Sequence, residues 1–356
     1  MLRKVSWVST ARFKPFLAAC DDDEDLAWSL YEWNAHVASA LVECFHHTEV
    51  LLRNAMMTQL EKTHPLSYPW QQELPTVVEA AKKRRQSETK IASPDSIISE
   101  LTLGFWLNLL DKGAENDELW RTCLHNAFPK SPGTRPAVHK AVADMHRLRN
   151  RCAHQDSLLD FDPAIELKKL LSLVEWIDPA ARTWLESIES VSKIAATRPV
   201  SPRDDVVIVG ASADMAVAMY EHVAAYVCPA GRSFAPVEYM GFYHDKKIDP
   251  FFPKILDIVV PTRWTPDEQQ ALKKSSDSVD KHVARAMGYG LANGWDAGDQ
   301  HQVFLLSTKD SPDTLKRSAP ILHRKTGRGS AFVQNKRYLP KSALLAANDT
   351  DHLTGP

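Results

Sequence analysis

The pattern of hydrophobic and polar positions changes character about halfway along this chain of 356 residues. Up to about residue 198, apolar side chains recur at steps of three and four, which is the spacing of an amphipathic α-helix. Beyond residue 205, short apolar runs alternate with turn residues and helical stretches, which indicates α+β structure. We therefore predict an all-α bundle over residues 10–198 and an α+β domain over residues 205–356, joined by a Pro-rich segment.

The first half should begin with a long helix. An acidic cluster at residues 21–25 is typical of a helix start, because the exposed amides of the first turn favour carboxylates. Apolar residues then continue at helical spacing to Met56, which predicts one long helix or a helix pair. The sequence predicts a loop at residues 64–69, a polar helix from Ala80, and further helices over 97–110, from Pro136 to about His154, and from Asp160 towards Trp184.

The second half should mix strands and helices. Short apolar runs predict strands at residues 206–209, 239–243, 255–260, 303–306 and 331–333. A helical pattern covers residues 214–227, and Thr265 followed by proline and two acidic residues predicts a helix that ends near Gly288. No catalytic motif stands out in this half, and the cationic, Gly-containing segment 323–330 lacks the ending of a Walker sequence.

Composition narrows the class of protein. The chain is 44% hydrophobic and 25% charged, which is ordinary for a soluble globular protein. A formal net charge of −2 argues against a polybasic protein that coats nucleic acid, so contact with RNA must come from local basic patches. The five cysteines have no CxxC spacing, and no run of about 18 apolar residues occurs. We expect a cytoplasmic protein without a zinc site or a membrane segment.

The candidate chemistry lies in the segment Arg149-Asn150-Arg151-Cys152-Ala153-His154. Cleavage of a phosphodiester by the neighbouring ribose 2′-hydroxyl needs a group that exchanges protons near neutral pH. It also needs a fixed cation to stabilise the charge that develops on the phosphate. His154 and Arg149 can supply these two functions without a metal ion.

The order Arg-Asn-x-x-x-His resembles the signature of HEPN ribonucleases, and the flanking residues resemble the Abi-like branch of that family, which is associated with abortive phage infection and toxin systems. The resemblance covers roughly residues 10–198. The similar segments are residues 30–35, 49–55, 103–106, 119–120 and 174–179. Abi-like members often continue the motif as Ala-His-His-Glu, whereas Gln155 takes the place of the second histidine here.

The resemblance implies a HEPN helical bundle and a metal-independent endoribonuclease, with Arg149, Asn150 and His154 as catalytic residues. It implies no cofactor, products that end in a 2′,3′-cyclic phosphate, and a homodimer in phage defence or a toxin–antitoxin system. The partners would be RNA, a second copy of the chain, and an antitoxin or a phage-derived trigger. The alternative is a non-catalytic HEPN dimer that binds RNA or a protein partner.

Helix geometry separates the motif residues, so one chain alone does not easily direct all of them at the same phosphate. Asn150 and His154 are separated by about 40° around a helix, whereas Arg149 and His154 are separated by about 140°. The arginine could reach round with its long side chain, the helix could end near Cys152, or a second copy of the helix could complete the site. The resemblance favours the second copy, because HEPN proteins typically dimerise through these helices.

Other polar residues are candidates for substrate binding. Arg147 and Arg151 flank the motif and could guide phosphate, or could form a solvated helix face. Glu49, Arg53 and Asn54 interrupt an apolar helix; the spacing favours an ion pair between Glu49 and Arg53, and the alternative is that they line the cleft and orient Arg149 or His154. The basic run at residues 82–85 is typical of a solvated face.

Overall fold

The computed structural model describes residues 3–63, 98, 101–200, 205–211, 213–295, 300–325 and 331–353. The predicted loop at residues 64–69, the helix from Ala80 and the basic run at 82–85 lie outside the described residues. In the described part the chain is helical up to residue 198 and combines strands with helices after residue 205, as the hydrophobic pattern predicted. None of the described helices combines the length and apolarity needed to cross a bilayer.

The first half contains one very long helix among shorter ones. The helices in the described part of this half are α1 (Thr10–Ala19), α2 (Glu24–Thr63), α3 (Leu103–Asn108), α4 (Ala114–Thr122), α5 (Arg135–Ala153), α6 (Pro163–Ile177), α7 (Pro179–Ile188) and α8 (Val191–Ala195). Glu24 and Asp25 lie in the first turn of α2, and the Asp23 carboxylate accepts a hydrogen bond from the Leu26 amide at 3.0 Å. The acidic cluster thus starts a single helix of 40 residues rather than a helix pair.

The last predicted helix of this half is divided, so the prediction of one helix from Asp160 towards Trp184 was wrong. Pro179 lacks the amide hydrogen that would continue the hydrogen bonding of α6. The Asp178 carboxylate instead accepts from the Ala180 amide at 2.7 Å and starts α7. In the described part of the predicted helix over residues 97–110, α3 covers Leu103–Asn108.

The second half contains three groups of paired strands. The strands are β1 (Val206–Gly210), β2 (Ala225–Pro229), β3 (Tyr239–His244), β4 (Lys247–Ile248), β5 (Phe251–Phe252), β6 (Ile255–Arg263), β7 (Gln300–Leu306), β8 (Leu315–Lys316), β9 (Ile321–Leu322) and β10 (Lys336–Leu339). Five form a sheet in the order β10-β1-β3-β4-β9, three form a sheet in the order β2-β7-β6, and β5 pairs with β8. Strands β1 and β3 are parallel, and the other pairs are antiparallel.

The helices of this half are α9 (Ala218–Val223), α10 (Pro266–Lys274), α11 (Ser278–Ala292) and α12 (Lys341–Ala346). The predicted helix over residues 214–227 was wrong at its end, because Ala224 adopts a left-handed conformation and β2 follows directly. The predicted helix from Thr265 to Gly288 is two helices, since the Asp277 side chain accepts from the Val279 amide and starts α11. Residues 331–333 form no strand; the pairing occurs instead at β10.

Strand β1 lies between two separate parts of the core. Val206 and Ile208 belong to one apolar cluster, whereas Val207 and Val209 belong to another. Successive side chains of a strand point to opposite faces, so the sheet is covered on both faces at this position. That burial explains why the sequence shows an unbroken apolar run here rather than an alternating one.

The chain divides into two compact units that are not continuous in sequence. The first comprises Met1–His36, Ser157–Glu166 and Lys193–Pro356, and the second comprises Val37–Asp156 and Leu167–Ser192. These units group the residues differently from the predicted domains at 10–198 and 205–356. Within the first unit, the Asp162 amide donates to the Phe234 carbonyl at 2.9 Å. All the candidate site residues belong to the second unit.

We predict that Gly290→Ala destabilises the first unit although alanine favours helix formation. A Cβ atom at this position of α11 would overlap the ring of Trp264, which is fully buried. Overpacking of this kind costs about 1–3 kcal/mol. Chemical unfolding should show the loss of stability.

Gly288→Ala is the matched control in the same helix. Its added Cβ would meet the amide end of the flexible Gln269 side chain. That end can move aside if it gives up its hydrogen bond to the Ala284 carbonyl, and the higher helix propensity of alanine offsets this loss. This variant should unfold at the same denaturant concentration as the parent or at a higher one. Equal stability of both variants would show that the ring of Trp264 does not constrain this position.

Candidate active site

Helix α5, which carries the motif, is held in place by a buried apolar face and by polar contacts at its start. Five side chains at helical spacing bury one face of it: Val138, Val142, Met145, Leu148 and Cys152. At its start, the guanidinium of Arg135 donates to the Leu110 carbonyl at 2.7 Å and pairs with the Asp117 carboxylate at 2.6 Å. Arg149 and Asn150 are half-buried beside the apolar face. Because the helix is fixed by its core contacts, the polar side chains next to the core start from defined positions.

The helix ends where the motif ends, as predicted. His154 is the C-cap residue and is exposed, and the next residue, Gln155, adopts a left-handed conformation with φ of 55°. The Gln155 amide donates to the Cys152 carbonyl, and the Asp156 amide donates to the Arg151 carbonyl, each at 3.0 Å. These two bonds form a Schellman motif. The imidazole therefore lies at the very end of α5, one residue before the chain changes direction.

Arg149 is held by a residue 100 positions earlier in the chain. Its Nε donates to Oε1 of Glu49 on α2 at 3.0 Å. The Arg149 side chain is 40% exposed and that of Glu49 is 26% exposed, so the pair is accessible to solvent. Partly exposed pairs contribute little to stability, so we interpret this contact as one that positions the guanidinium.

The contact bears on one of two readings of Glu49. The sequence allowed that Glu49 orients the motif, and its hydrogen bond to Arg149 is in line with that reading. The ion pair of Glu49 with Arg53, which the i,i+4 spacing favours, stays a prediction. Arg53 is half-buried on the same helix, and Asn54 is exposed. The carbonyl of Asn54 accepts from the Thr58 hydroxyl at 2.8 Å.

Asn150 connects Arg149 to a histidine that the sequence analysis did not select. Its Oδ1 accepts a hydrogen bond from Nη1 of Arg149 at 3.1 Å. Its Nδ2 lies 3.3 Å from Nε2 of His146. The i,i+4 spacing of His146 and Asn150 on one helix was the available signal. The described polar cluster therefore runs from Glu49 through Arg149 and Asn150 to His146.

The flanking arginines differ in their surroundings. Arg147 is exposed, and its guanidinium pairs with the Asp144 carboxylate at 2.9 Å. An exposed pair of this type exchanges easily, so Arg147 can contact a phosphate at small cost. Arg151 is half-buried in the last turn of α5.

Nearby cysteines are poor nucleophiles. Burial raises the pKa of the Cys152 thiol to about 12 and that of Cys44 to about 11. Both thiols are therefore protonated at neutral pH, and a thiolate is the reactive form of cysteine. These two thiols are therefore poor candidates for a catalytic nucleophile. Within the residues that the structure describes, no three His, Cys, Asp or Glu side chains are placed to hold one metal ion.

A concave region in the first unit has a different character. A cavity of about 290 Å³ is lined by Met215, Val227, Cys228, Pro229, Gly294, Trp295 and His301. Of these described lining residues, only His301 is a histidine. The described lining contains no Lys, Arg, Asp or Glu side chain, so it lacks the paired cation and histidine of the α5 cluster. The α5 cluster is therefore the better candidate for catalysis.

We predict that Gln155→Val disturbs both stability and the position of His154. A β-branched side chain is strained in the left-handed conformation that this residue adopts, so the free energy of unfolding should fall by about 1 kcal/mol. Gln155→Gly is the control, because glycine accepts positive φ without strain. Chemical unfolding of the two variants measures the difference. Equal stability would mean that the helix end does not depend on this backbone conformation.

Comparison with known proteins identifies no relative of this chain. A search of protein-family models, of curated proteins and of solved structures finds no match to the chain. The resemblance to Abi-like HEPN proteins therefore rests on the motif at residues 149–154 and on its flanking segments, and membership of that family stays a prediction.

Proposed function

We propose that this protein is a metal-independent endoribonuclease that cleaves RNA by attack of the ribose 2′-hydroxyl on the adjacent phosphate. One observation carries the proposal. Arg149 is fixed by hydrogen bonds from its guanidinium to Glu49 and Asn150, and His154 stands exposed at the end of the same helix. A preorganised cation and an accessible imidazole are the two groups that this reaction requires.

The contribution of the fixed Arg149 guanidinium to folding stability is too small to explain why it is held in place, which favours a catalytic role. Arginine loses about 2 kcal/mol of side-chain entropy when it is held in one conformation, and a half-exposed ion pair returns about 1 kcal/mol or less. Such an arrangement is explained if Arg149 has to be in place before a phosphate arrives. Electrostatic stabilisation is most effective when the donors need no rearrangement in the transition state.

In the proposed reaction the 2′-oxygen forms a bond to phosphorus and the bond to the 5′-oxygen breaks. The 2′-hydroxyl proton passes to a base, and the leaving 5′-oxygen receives a proton from an acid. His154 performs one of these transfers, and Arg149 stabilises the negative charge on the phosphate oxygens. Asn150 orients the guanidinium through its carbonyl oxygen. The products are a 2′,3′-cyclic phosphate and a 5′-hydroxyl.

We further propose that the active form is a homodimer. Arg149 and His154 are five positions apart on or at the end of one helix, which separates their directions by about 140°. A second copy of α5 would bring the arginine of one chain towards the histidine of the other. The resemblance to HEPN proteins, which dimerise through these helices, favours the same arrangement.

The biological setting follows from the resemblance alone. Abi-like HEPN proteins are associated with abortive phage infection and toxin systems, so we propose that RNA cleavage by this chain arrests growth of its host. An antitoxin or a phage-derived trigger would then control it.

The other candidate function is a non-catalytic dimer that binds RNA or a protein. One contact favours it: the carboxylate of Glu49 offsets the positive charge of Arg149. The experiment below separates the two.

We predict that His154→Ala and Arg149→Ala each lower the rate of RNA cleavage by about 10²- to 10⁴-fold, as expected for loss of a group that moves a proton or stabilises charge. Both side chains are partly or largely exposed, so the variants should fold normally. His139→Ala on the same helix and Arg121→Ala on α4 are matched controls and should cleave at the parental rate. Wild-type rates in either site variant would refute the assigned roles, and a parent that binds RNA without cutting it would favour the non-catalytic dimer.

Mixing the two inactive variants tests the shared cleft. If each cleft takes Arg149 from one chain and His154 from the other, about half of the exchanged dimers contain one complete cleft, and about one quarter of the parental activity returns. No recovery after verified subunit exchange would place both residues of a site in the same chain.

A further inference from the structure

His146 is a half-buried histidine of α5 that lies one turn before Asn150. We infer that His146 is a positioning residue of the proposed site: its neutral ring accepts a hydrogen bond from Asn150 and thereby fixes the orientation of that amide towards Arg149. The inference rests on the proposed function and assigns a task to a residue outside the Arg-Asn-x-x-x-His motif.

The argument follows from which atoms can donate. A guanidinium has donors only, so the atom of Asn150 that faces Arg149 at 3.1 Å must be the carbonyl oxygen. The other atom of the amide is then Nδ2, which is a donor only, and it lies 3.3 Å from Nε2 of His146. Nε2 must therefore be an acceptor. A neutral imidazole with an acceptor at Nε2 carries its proton on Nδ1.

The chain of contacts has one consistent direction. Glu49 accepts from Arg149, Arg149 donates to Asn150, and Asn150 donates to His146. If the amide of Asn150 were reversed, its nitrogen would face the guanidinium and two donors would oppose each other. An acceptor at residue 146 therefore favours the orientation that also holds Arg149, because the amide can satisfy both neighbours in that orientation alone.

The contact also separates the tasks of the two histidines. The lone pair on Nε2 of His146 is occupied by Asn150, so this nitrogen is not available to take a proton from RNA. His154 is exposed at the end of the helix. We assign proton transfer to His154 and the orientation of Asn150 to His146.

Three variants test the inference through the rate of RNA cleavage. His146→Leu removes the acceptor and should lower kcat roughly threefold to tenfold, as expected for loss of one neutral hydrogen bond. His146→Gln replaces it with an amide whose oxygen can accept, so it should restore most of the rate. His139→Leu, two turns earlier on α5, should have no effect. Equal loss in the leucine and glutamine variants would overturn the inference.

A double-variant cycle distinguishes positioning from a general structural effect. If His146 acts through Asn150, His146→Leu should cause no further loss of kcat in an Asn150→Ala background. Independent, multiplicative losses in the two variants would show that His146 acts by another route and would overturn the inference. Chemical unfolding of each variant establishes that the compared proteins are folded.

A measurement on the parent protein needs no cleavage activity. Nitrogen-15 NMR of the histidine rings in the full chain at about pH 8, with the His146 signal assigned by its loss in His146→Gln, should show the proton on Nδ1 and an accepting Nε2. A proton on Nε2 would overturn the inference whatever the RNA assay shows. An accepting Nε2 in a parent that cleaves no RNA would support the hydrogen-bond geometry while refuting the proposed function.

Discussion

The proposed site depends on one interaction, the hydrogen-bonded ion pair between Arg149 on α5 and Glu49 on α2. Each helix is fixed by its own apolar face, and the pair joins their polar flanks at one point. Because the pair is partly exposed, its main consequence is geometric: it selects one conformation of a long, flexible side chain. The guanidinium can then act as a fixed cation for a phosphate.

The other polar contacts follow from that choice. With Nε bound to Glu49, the guanidinium presents Nη1 to the carbonyl oxygen of Asn150. That contact sets the amide and brings its nitrogen to His146. The Schellman motif independently ends the helix at His154, so the proton-transfer group is placed by backbone geometry and the cation by side-chain contacts. The two functions of the proposed reaction therefore depend on different physical causes.

Helix start signals and apolar spacing predicted those parts of this site that depend on residues close together in the sequence. The acidic start and apolar spacing predicted α2, and the motif helix was predicted to run from Pro136 to about His154. The spacing rule for helices could also have indicated the pairing of His146 with Asn150. It could not indicate that Glu49 binds Arg149, because a contact across 100 positions depends on how two helices pack. The spacing rule considers one helix alone, so for Glu49 it predicts only the pair with Arg53 on the same helix.

In the second half, two predictions from the sequence were wrong. One helix end lacks its usual sequence signal, and one apolar run is buried without forming a strand. Helix α9 ends at Ala224, which adopts a left-handed conformation. Glycine usually occupies such a position, and because it is absent here the sequence contains no signal for the start of β2. Phe332 and Val333 are buried and apolar but lie outside any strand, whereas β10 begins with Lys336 and Arg337 at the edge of the sheet. Apolar runs indicate burial, and burial does not by itself require strand pairing.

The most direct test of the central claim is the chemistry of the RNA ends that the purified protein produces. The account predicts cleavage that persists in excess chelator, leaves a 2′,3′-cyclic phosphate and a 5′-hydroxyl, and stops when the scissile ribose lacks its 2′-hydroxyl. Ends that carry a 5′-phosphate and a 3′-hydroxyl, or cleavage of the 2′-deoxy substrate at the normal rate, would contradict it, because neither outcome is compatible with attack by the 2′-oxygen.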